Sequence, residues 1–384
     1  MFCSPLRYVQ GPGATLRLAD EMRAVGLSGP VLVVAGNAAI SRLAPTWAAA
    51  FTAAGWQHRV RAFGGESSRR EIAALAREAR SFDAAVIVGA GGGKTLDAAR
   101  AAAAADRRPF VSCPTVCSTD APTSALSVVY VDEGPEAGAV EGLEIHRRSP
   151  DLVLVDTEVI AAGPSRFLAA GIGDAMSTFY EARAAVAAAK PNMRGGRSTL
   201  AALEMARLCR DVVLEHGVAA LEACRRHAAD DALEQVVEAA TLLSGLGFES
   251  AGLAAAHAIH NGLTVVPVMH GMLHGEKVAF GTLVQLALEQ QAEADSASQA
   301  ARAAEAERVA SFFVRTGLPV TLAQLGLPDE PHAAANAAVR AIAQRATVAG
   351  ETIHNMPFPV DAAAVVAAIA AADSLGRRTL AAGG

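Results

Sequence analysis

Aromatic side chains are scarce, 4% of 384 residues, although 52% of the chain is hydrophobic. An interior short of large rings must be filled by Ala, Val and Leu. Tracts such as Ala101 to Ala105 and Ala362 to Ala372 favour helix, because Ala loses no side-chain entropy there. Long runs of Lys or Arg are also missing, and the net charge is -6. That balance argues against nucleic acid or an anionic membrane as the main partner. The Ala-rich tract between Asp361 and Asp373 is too short for a bilayer, which needs about 20 apolar residues. The opening MFCSPLRYVQGPG lacks the apolar core of a secretory signal, so a cytoplasmic location is expected. The five cysteines (Cys3, Cys113, Cys117, Cys209 and Cys224) are an odd number without a C-x-x-C pair. Cys113 and Cys117 have no second pair to complete a metal site, so reduced, mostly buried thiols are expected.

What is present falls into two textures. Short apolar runs (Pro30 to Ala35, His58 to Phe63, Ala84 to Val88, Phe110 to Cys113, Val128 to Val131, Leu152 to Val155) alternate with helical segments. These helices cover Leu16 to Val25, Leu43 to Ala54, Arg69 to Arg80 and Thr95 to Ala105. That spacing predicts a parallel sheet covered on both faces. A polar excursion, Asp132 to Ser149, separates the last two strands. After Asp156 the pattern turns helical: Ser198 to His216, Ala232 to Ser244, Val278 to Glu289 and Ser296 to Thr316, punctuated by Gly-Pro and Gly-Leu-Pro. The prediction is an α/β nucleotide-binding domain over 1–158 and an all-helical metal- and substrate-binding domain over 159–384. A ligand cleft is expected between them, at the carboxyl ends of the strands.

One glycine cluster stands at such an end: Gly89-Ala90-Gly91-Gly92-Gly93-Lys94-Thr95-Leu96-Asp97. Glycines let backbone approach a ligand closely, and the helix that follows offers free N–H groups to an anion, as a pyrophosphate requires. It is not a P-loop, since Val88 stands where a glycine is needed. It is not G-x-G-x-x-G either, since Lys94 takes the last glycine's place. The plain alternative is a glycine-rich turn without a ligand.

The helical half carries Gly171-Ile172-Gly173-Asp174, His257-Ala258-Ile259-His260 and Met269-His270-Gly271-Met272-Leu273-His274. Asp174 follows a Gly-Ile-Gly turn, where a helix is expected to begin and a carboxylate would cap it. His257 and His260 share a helix face. One carboxylate and two imidazoles would leave an open position on a tetrahedral ion, as catalytic metals require. Spacing does not say which histidines bind, and single core or surface histidines are the plain alternative.

Several stretches together carry a family resemblance: GGGKTLDAA (from Gly91), PTVCSTDAPTSALSVVY (from Pro114), VLVDT (from Val153), AGIGD (from Ala170), LLSGLGFESAGLAAAHAIHNGLT (from Leu242) and HGEKVAFGTL (from His274). The chain resembles the iron-containing alcohol dehydrogenase family, in its zinc-dependent, glycerol-oxidising subgroup. The resemblance implies a dehydroquinate synthase-like architecture and hydride transfer from glycerol, giving dihydroxyacetone, to a nicotinamide cofactor. It implies Asp174, His257 and His274 as ligands of Zn2+, with Fe2+ the alternative ion. His260 and His270 match neighbouring positions that are not ligands. Asp120 and His257 would be catalytic, and Asp120, Asp174, His257 and His274 would meet the polyol. Gly36, Gly92, Gly93, Lys94, Asp97, Thr115, Ser118, Ser124, Leu126 and Tyr130 match positions around the cofactor. A homo-oligomer is the family tendency.

One departure bears on the cofactor. After the strand ending at Ala35 the family usually has Asp, which accepts hydrogen bonds from the adenosine ribose; here Gly36 and Asn37 stand there. Losing that carboxylate removes both the ribose contacts and the repulsion against a 2′-phosphate, so NADP joins NAD as a candidate. The rival readings are a dehydrogenase of another vicinal diol or hydroxyketone, and a non-redox dehydroquinate synthase-like lyase. The lyase reading is weakened by the shortage of Lys and Arg in the helical motifs.

Overall fold

The computed structural model describes residues 1–134, 138–328 and 336–383. Its first part is the expected α/β layout. Among the described residues the eight strands are β1 (Tyr8–Gly11), β2 (Val31–Ala35), β3 (His58–Ala62), β4 (Val86–Gly91), β5 (Phe110–Pro114), β6 (Leu126–Tyr130), β7 (Val140–Ile145) and β8 (Leu152–Asp156). Helices α1 (Leu18–Ala24), α2 (Asn37–Ala53), α3 (Arg69–Ser81), α4 (Gly93–Ala105) and α5 (Thr157–Ala161) follow or separate them.

Six strands form a wholly parallel sheet in the order β1-β8-β5-β4-β2-β3. Successive residues of its central strands point to opposite faces. Val31, Val33 and Ala35 pack with Trp47, Phe51 and Met22 on one face. Leu32 and Val34 pack with Leu75, Ile87 and Phe110 on the other. Both faces are dry, which explains why these strands read as continuous apolar runs rather than alternating ones.

The strand expected at Val128 to Val131 exists, but outside this sheet. As β6 it pairs antiparallel with β7 in a ribbon of its own. β7 lies inside the excursion read as polar connection, whose residues 135–137 fall outside the described residues. Strand β1 was not foreseen: four half-buried residues ending in glycine carry no periodicity.

The later helices are α6 (Ser165–Ala187), α7 (Leu200–Arg225), α8 (Asp231–Glu238), α9 (Ser244–Ala251), α10 (Ala255–Leu263), α11 (His274–Ala292), α12 (Ser296–Thr316), α13 (Ala337–Ala346) and α14 (Ala362–Ala381). A π-helical turn, Ala239–Leu243, separates α8 from α9. Helix α11 packs against α10, α12 and α14. Its residues from Gly275 to Glu289 are all buried, so it is a central helix without a solvent face. Among the described residues no single helix is long and apolar enough to cross a membrane.

Two compact units result: Cys3–Ser165 with Glu222–Gly245, and Met1–Phe2 with Arg166–Leu221 and Leu246–Gly384. Residues 222–245, helical as expected, thus belong with the sheet rather than with the other helices. The side chain of Gln10 on β1 donates to the carbonyl of Glu234 at 2.8 Å and to its carboxylate at 2.6 Å. Thr157 donates to the same carboxylate.

Helix α6 corrects one expectation. Asp174 does not cap a helix start but lies in the interior of α6. Gly173 serves close approach rather than a turn. A Cβ on Gly173 would lie 2.5 Å from the carbonyl oxygen of Gly275 and 3.1 Å from Ala279 Cβ. One on Gly275 would lie 1.8 Å from the carbonyl oxygen of Ala170. Glycine is therefore required where α6 and the first turn of α11 touch.

Candidate active site

In the sheet-bearing unit, β2 has β3 on one side and β4 on the other, so the connections leave this point in opposite directions. Ligands of open α/β sheets bind at such a switch point, beyond the carboxyl ends of the strands. Gly36 stands at the end of β2, and Gly91, Gly92 and Gly93 at the end of β4. The Gly36 N–H donates to the Ala90 carbonyl at 3.4 Å, and the Thr115 N–H to that of Gly91 at 3.1 Å. A Cβ on Gly91 would sit 2.7 Å from Thr95 Cβ, so the tight turn into α4 needs glycine. Gly92 caps α4 without a side-chain acceptor, which leaves first-turn N–H groups for an anion.

Lys94 is exposed on that turn. Its ammonium pairs with Glu66 at 2.7 Å and lies 4.4 Å from the centre of the Tyr130 ring. Burial, with Asp97 and Glu66 nearby, pushes the Tyr130 phenol well above its usual range. Ser118 is half-buried, while Ser124 and Leu126 are buried. Asp97 is turned inward: its carboxylate accepts from Arg100 at 2.7 Å and from the Val128 N–H at 3.2 Å. Asp120 is buried as well and accepts from the Ser244 hydroxyl at 2.9 Å.

The other unit assembles three separated stretches. Asp174 from α6, His257 from α10 and His274 from the start of α11 bring one ligand atom each to within 4.8 Å of one another. Oδ1 of Asp174, wholly buried, lies 3.2 Å from His274 Nε2 and 3.5 Å from His257 Nε2. His270 is turned away, its Nε2 3.0 Å from the Thr264 carbonyl.

The outer ring nitrogens define which inner nitrogens carry lone pairs. His257 Nδ1 lies 2.5 Å from Glu181 Oε2, and a carboxylate only accepts, so Nδ1 carries the proton. His260 donates from Nδ1 to the Asn261 side-chain oxygen at 3.1 Å. Its Nε2 therefore accepts from His274 Nδ1 at 3.0 Å. The chain continues from the Asn261 amide to Glu351 at 3.0 Å and on to Arg345. Burial and the neighbouring His274 and Lys277 hold His260 well below its usual pKa, consistent with an accepting, neutral ring.

Both His257 and His274 thus turn an Nε2 lone pair toward one anionic oxygen. Such a trio needs positive charge. Without an ion, protonation of His257 supplies it: burial opposes this, but the Glu181 and Asp174 carboxylates prevail and raise its pKa well above normal. Burial likewise opposes ionisation of Asp174, and the His274 charge with hydrogen bonds from both rings outweighs it. A divalent ion meets the same need. With zinc–ligand bonds of about 2.1 Å at tetrahedral angles, donor atoms sit about 3.4 Å apart. The two measured separations bracket that value, so the residues fit a zinc-type ion.

Glu181 is the member that sequence reading missed. It lies seven residues after Asp174 on α6, on the same face, and is fully buried. Two carboxylates at that spacing in an apolar helix were the available signal.

An Asp-His-His cluster in the helical unit and a glycine turn at the end of a parallel sheet in the other unit are the features expected of a dehydrogenase class. Residues 5–157 match the iron-containing alcohol dehydrogenase family. The chain is 45% identical over 377 residues to the glycerol dehydrogenase of Pseudomonas putida, covering 98% of each. It is 40% identical over 378 residues to the glycolaldehyde reductase of Halobacterium salinarum, again covering 98% of each. The crystal structure of glycerol dehydrogenase from Schizosaccharomyces pombe superposes with a TM-score of 0.89 at 34% identity, covering 100% of this chain and 92% of that one. The chain belongs to the iron-containing alcohol dehydrogenase family. The expected oxidoreductase class and fold stand with that membership.

Proposed function

We propose that this enzyme oxidises glycerol to dihydroxyacetone, passing a hydride to a nicotinamide cofactor. The observation that carries the reading is the convergence of Asp174 Oδ1, His257 Nε2 and His274 Nε2 at separations suited to a divalent ion. Full-length similarity to glycerol dehydrogenases supports the substrate. Zinc is favoured over iron(II) for the Asp-His-His set, which accepts either ion.

An ion held there supplies Lewis acidity that lowers the pKa of a substrate hydroxyl. Asp174, His257 and His274 would hold that ion, and Asp120, steadied by Ser244, would accept a hydrogen bond from a polyol hydroxyl. The carbinol carbon loses hydride to the nicotinamide, and the hydroxyl proton goes to solvent. Gly92, Gly93 and Lys94 serve the pyrophosphate. Gly36, Thr115, Ser118, Ser124, Leu126 and Tyr130 serve the rest of the cofactor. Asp97 serves it by bracing β6 through Arg100 and Val128.

NAD is the primary cofactor, with NADP accepted because Gly36 offers no carboxylate. A cytoplasmic homo-oligomer completes the reading; Leu200, 85% exposed on α7, and Leu208, 52% exposed, are apolar surface suited to a second copy. The similarity to a glycolaldehyde reductase favours one alternative, a small hydroxyaldehyde as substrate. The test is zinc-loaded protein assayed with glycerol and NAD or NADP, and with glycolaldehyde and the reduced cofactors, with chelator controls. Chelator-sensitive glycerol oxidation above glycolaldehyde reduction supports the proposal. Glycolaldehyde as the better substrate transfers it to the alternative, and activity that chelators leave intact overturns it.

A further inference from the structure

Helix α10 carries His257 in its first turn but has no capping side chain of its own, because Ala254 occupies the cap position. Four orphan N–H groups would be left there. Two buried side chains from other helices satisfy them. Gln285 Oε1 accepts from Ala255 and Ala256, both at 3.0 Å. Glu181 Oε1 accepts from Ala254 at 2.9 Å and from His257 at 3.0 Å. The second oxygen of Glu181 takes the His257 ring proton at 2.5 Å. One carboxylate thus binds both the backbone and the ring of the same residue.

We propose that Glu181 is the positioning residue of the metal centre: it fixes His257 in the Nδ1–H tautomer and anchors the helix turn that bears it. The inference rests on the reading of Asp174, His257 and His274 as metal ligands. A buried carboxylate is costly unless hydrogen-bonded throughout, and among the described residues every side-chain hydrogen bond of Glu181 lies at this one helix start. Its negative charge at the positive end of α10 adds stabilisation. Gln285 shares the capping role but touches no ring, so the two residues separate capping from ring orientation.

Glu181→Gln is nearly isosteric. Its amide oxygen can keep the two backbone acceptances, but its NH2 group can only donate toward the ring. His257 then accepts at Nδ1, protonates Nε2 and loses its ligand lone pair. Zinc affinity measured by chelator competition is expected to fall about 10- to 100-fold, the usual effect of losing such an outer partner. The melting temperature of the metal-free protein should stay within a few degrees of wild type. Gln285→Ala should lower that melting temperature while changing zinc affinity less than Glu181→Gln does. Glu181→Asp keeps an accepting carboxylate of shorter reach and should bind zinc more tightly than Glu181→Gln or, where that variant does not fold, than Glu181→Ala. Zinc affinity within threefold of wild type in Glu181→Gln overturns the proposal, as does an Asp variant no better than the Gln variant. His274→Ala is the control: if it keeps wild-type zinc affinity, the ligand assignment itself falls, whereas its loss beside an unaffected Glu181→Gln removes only the role of Glu181.

Discussion

Replacing Gly173 by Ala should weaken the proposed metal centre even though it improves a helix. Ala in a helix interior is favoured over Gly by about 1 kcal/mol, so an unobstructed site would be stabilised. Here the new methyl meets the Gly275 carbonyl oxygen at 2.5 Å, and Ala279 Cβ and Leu318 Cδ2 at 3.1 Å. The first obstacle is backbone and cannot rotate away. To reach even a tight 3.0 Å contact, the start of α11 must retreat about 0.5 Å from α6, a displacement that forfeits much of the local packing energy. Overpacking of this kind costs about 1–3 kcal/mol, so it exceeds or cancels the propensity gain. Gly173 precedes Asp174 and Gly275 follows His274, so the retreat opens the 3.2 Å separation of Asp174 Oδ1 and His274 Nε2 directly. The metal-free variant should melt up to a few degrees below wild type, and its zinc affinity should fall at least tenfold by chelator competition. A higher melting temperature with unchanged zinc affinity would refute the claim that glycine is needed where these helices touch.

Three further outcomes follow from the same geometry. His274→Ala should lose bound zinc and glycerol oxidation together, whereas Asp120→Ala should keep zinc and lose kcat/KM for glycerol by about tenfold or more, as the removal of a charged hydrogen bond does; zinc analysis beside steady-state kinetics separates them. Gly36→Asp has room, since nothing lies within 4 Å of the new Cβ and φ is an ordinary -67°; it should raise the NAD-to-NADP ratio of catalytic efficiencies about tenfold or more, and an unchanged ratio would dissociate this position from the ribose. Burial, aided by the Asp156 charge, pushes the Cys113 thiol up to about 12, so folding favours the protonated form. That contribution is intact below the unfolded value near 8.5 and is lost as pH rises from there toward 12; mass spectrometry after iodoacetamide at pH 8.5 should find Cys3 alkylated and Cys113 untouched, and equal labelling would contradict its burial.

The sheet was legible because its strands are dry on both faces, so Val31 to Ala35 and Ala84 to Val88 stand out as uninterrupted apolar runs. β1 and β7 were not. β1 is short and ends in glycine, and the side chains of β7 at Val140, Leu143 and Ile145 are exposed rather than packed in a core. Residues 222–245 joined the sheet unit through Gln10 and Glu234, a polar contact across 224 positions that no local pattern announces. The Asp174, His257 and His274 trio came from family resemblance; composition alone offered four histidines between 257 and 274 without saying which converge. Asp174 was misplaced for an instructive reason. Gly-x-Gly usually reads as a turn, yet here its second glycine, Gly173, lets two helix backbones come together.

That same economy explains why the site's support was harder to see than its ligands. The three converging side chains are His and Asp, and such residues are conspicuous in an Ala-rich chain. The groups that steady them come from other helices: Glu181 from α6 holds both backbone and ring, and Gln285 from α11 holds backbone alone. Ala254 and Ala256 give α10 no cap of their own, and a capless helix start inside an apolar interior is an unsatisfied demand. A buried Glu or Gln elsewhere must meet it. The place to search for an orienting residue is therefore the first turn of each ligand-bearing helix, wherever the local sequence supplies no acceptor. Applied to α11, the search returns Glu276. Its Oε2 accepts from the Leu273 N–H at 2.7 Å, and its carboxylate also holds Arg166 from α6. His274 is thus steadied from within its own helix, and its ring is oriented by His260 instead of by a carboxylate. The two imidazoles reach the same Nε2 lone-pair arrangement by different routes, and of the two only His257 has its backbone and its ring held by the same residue.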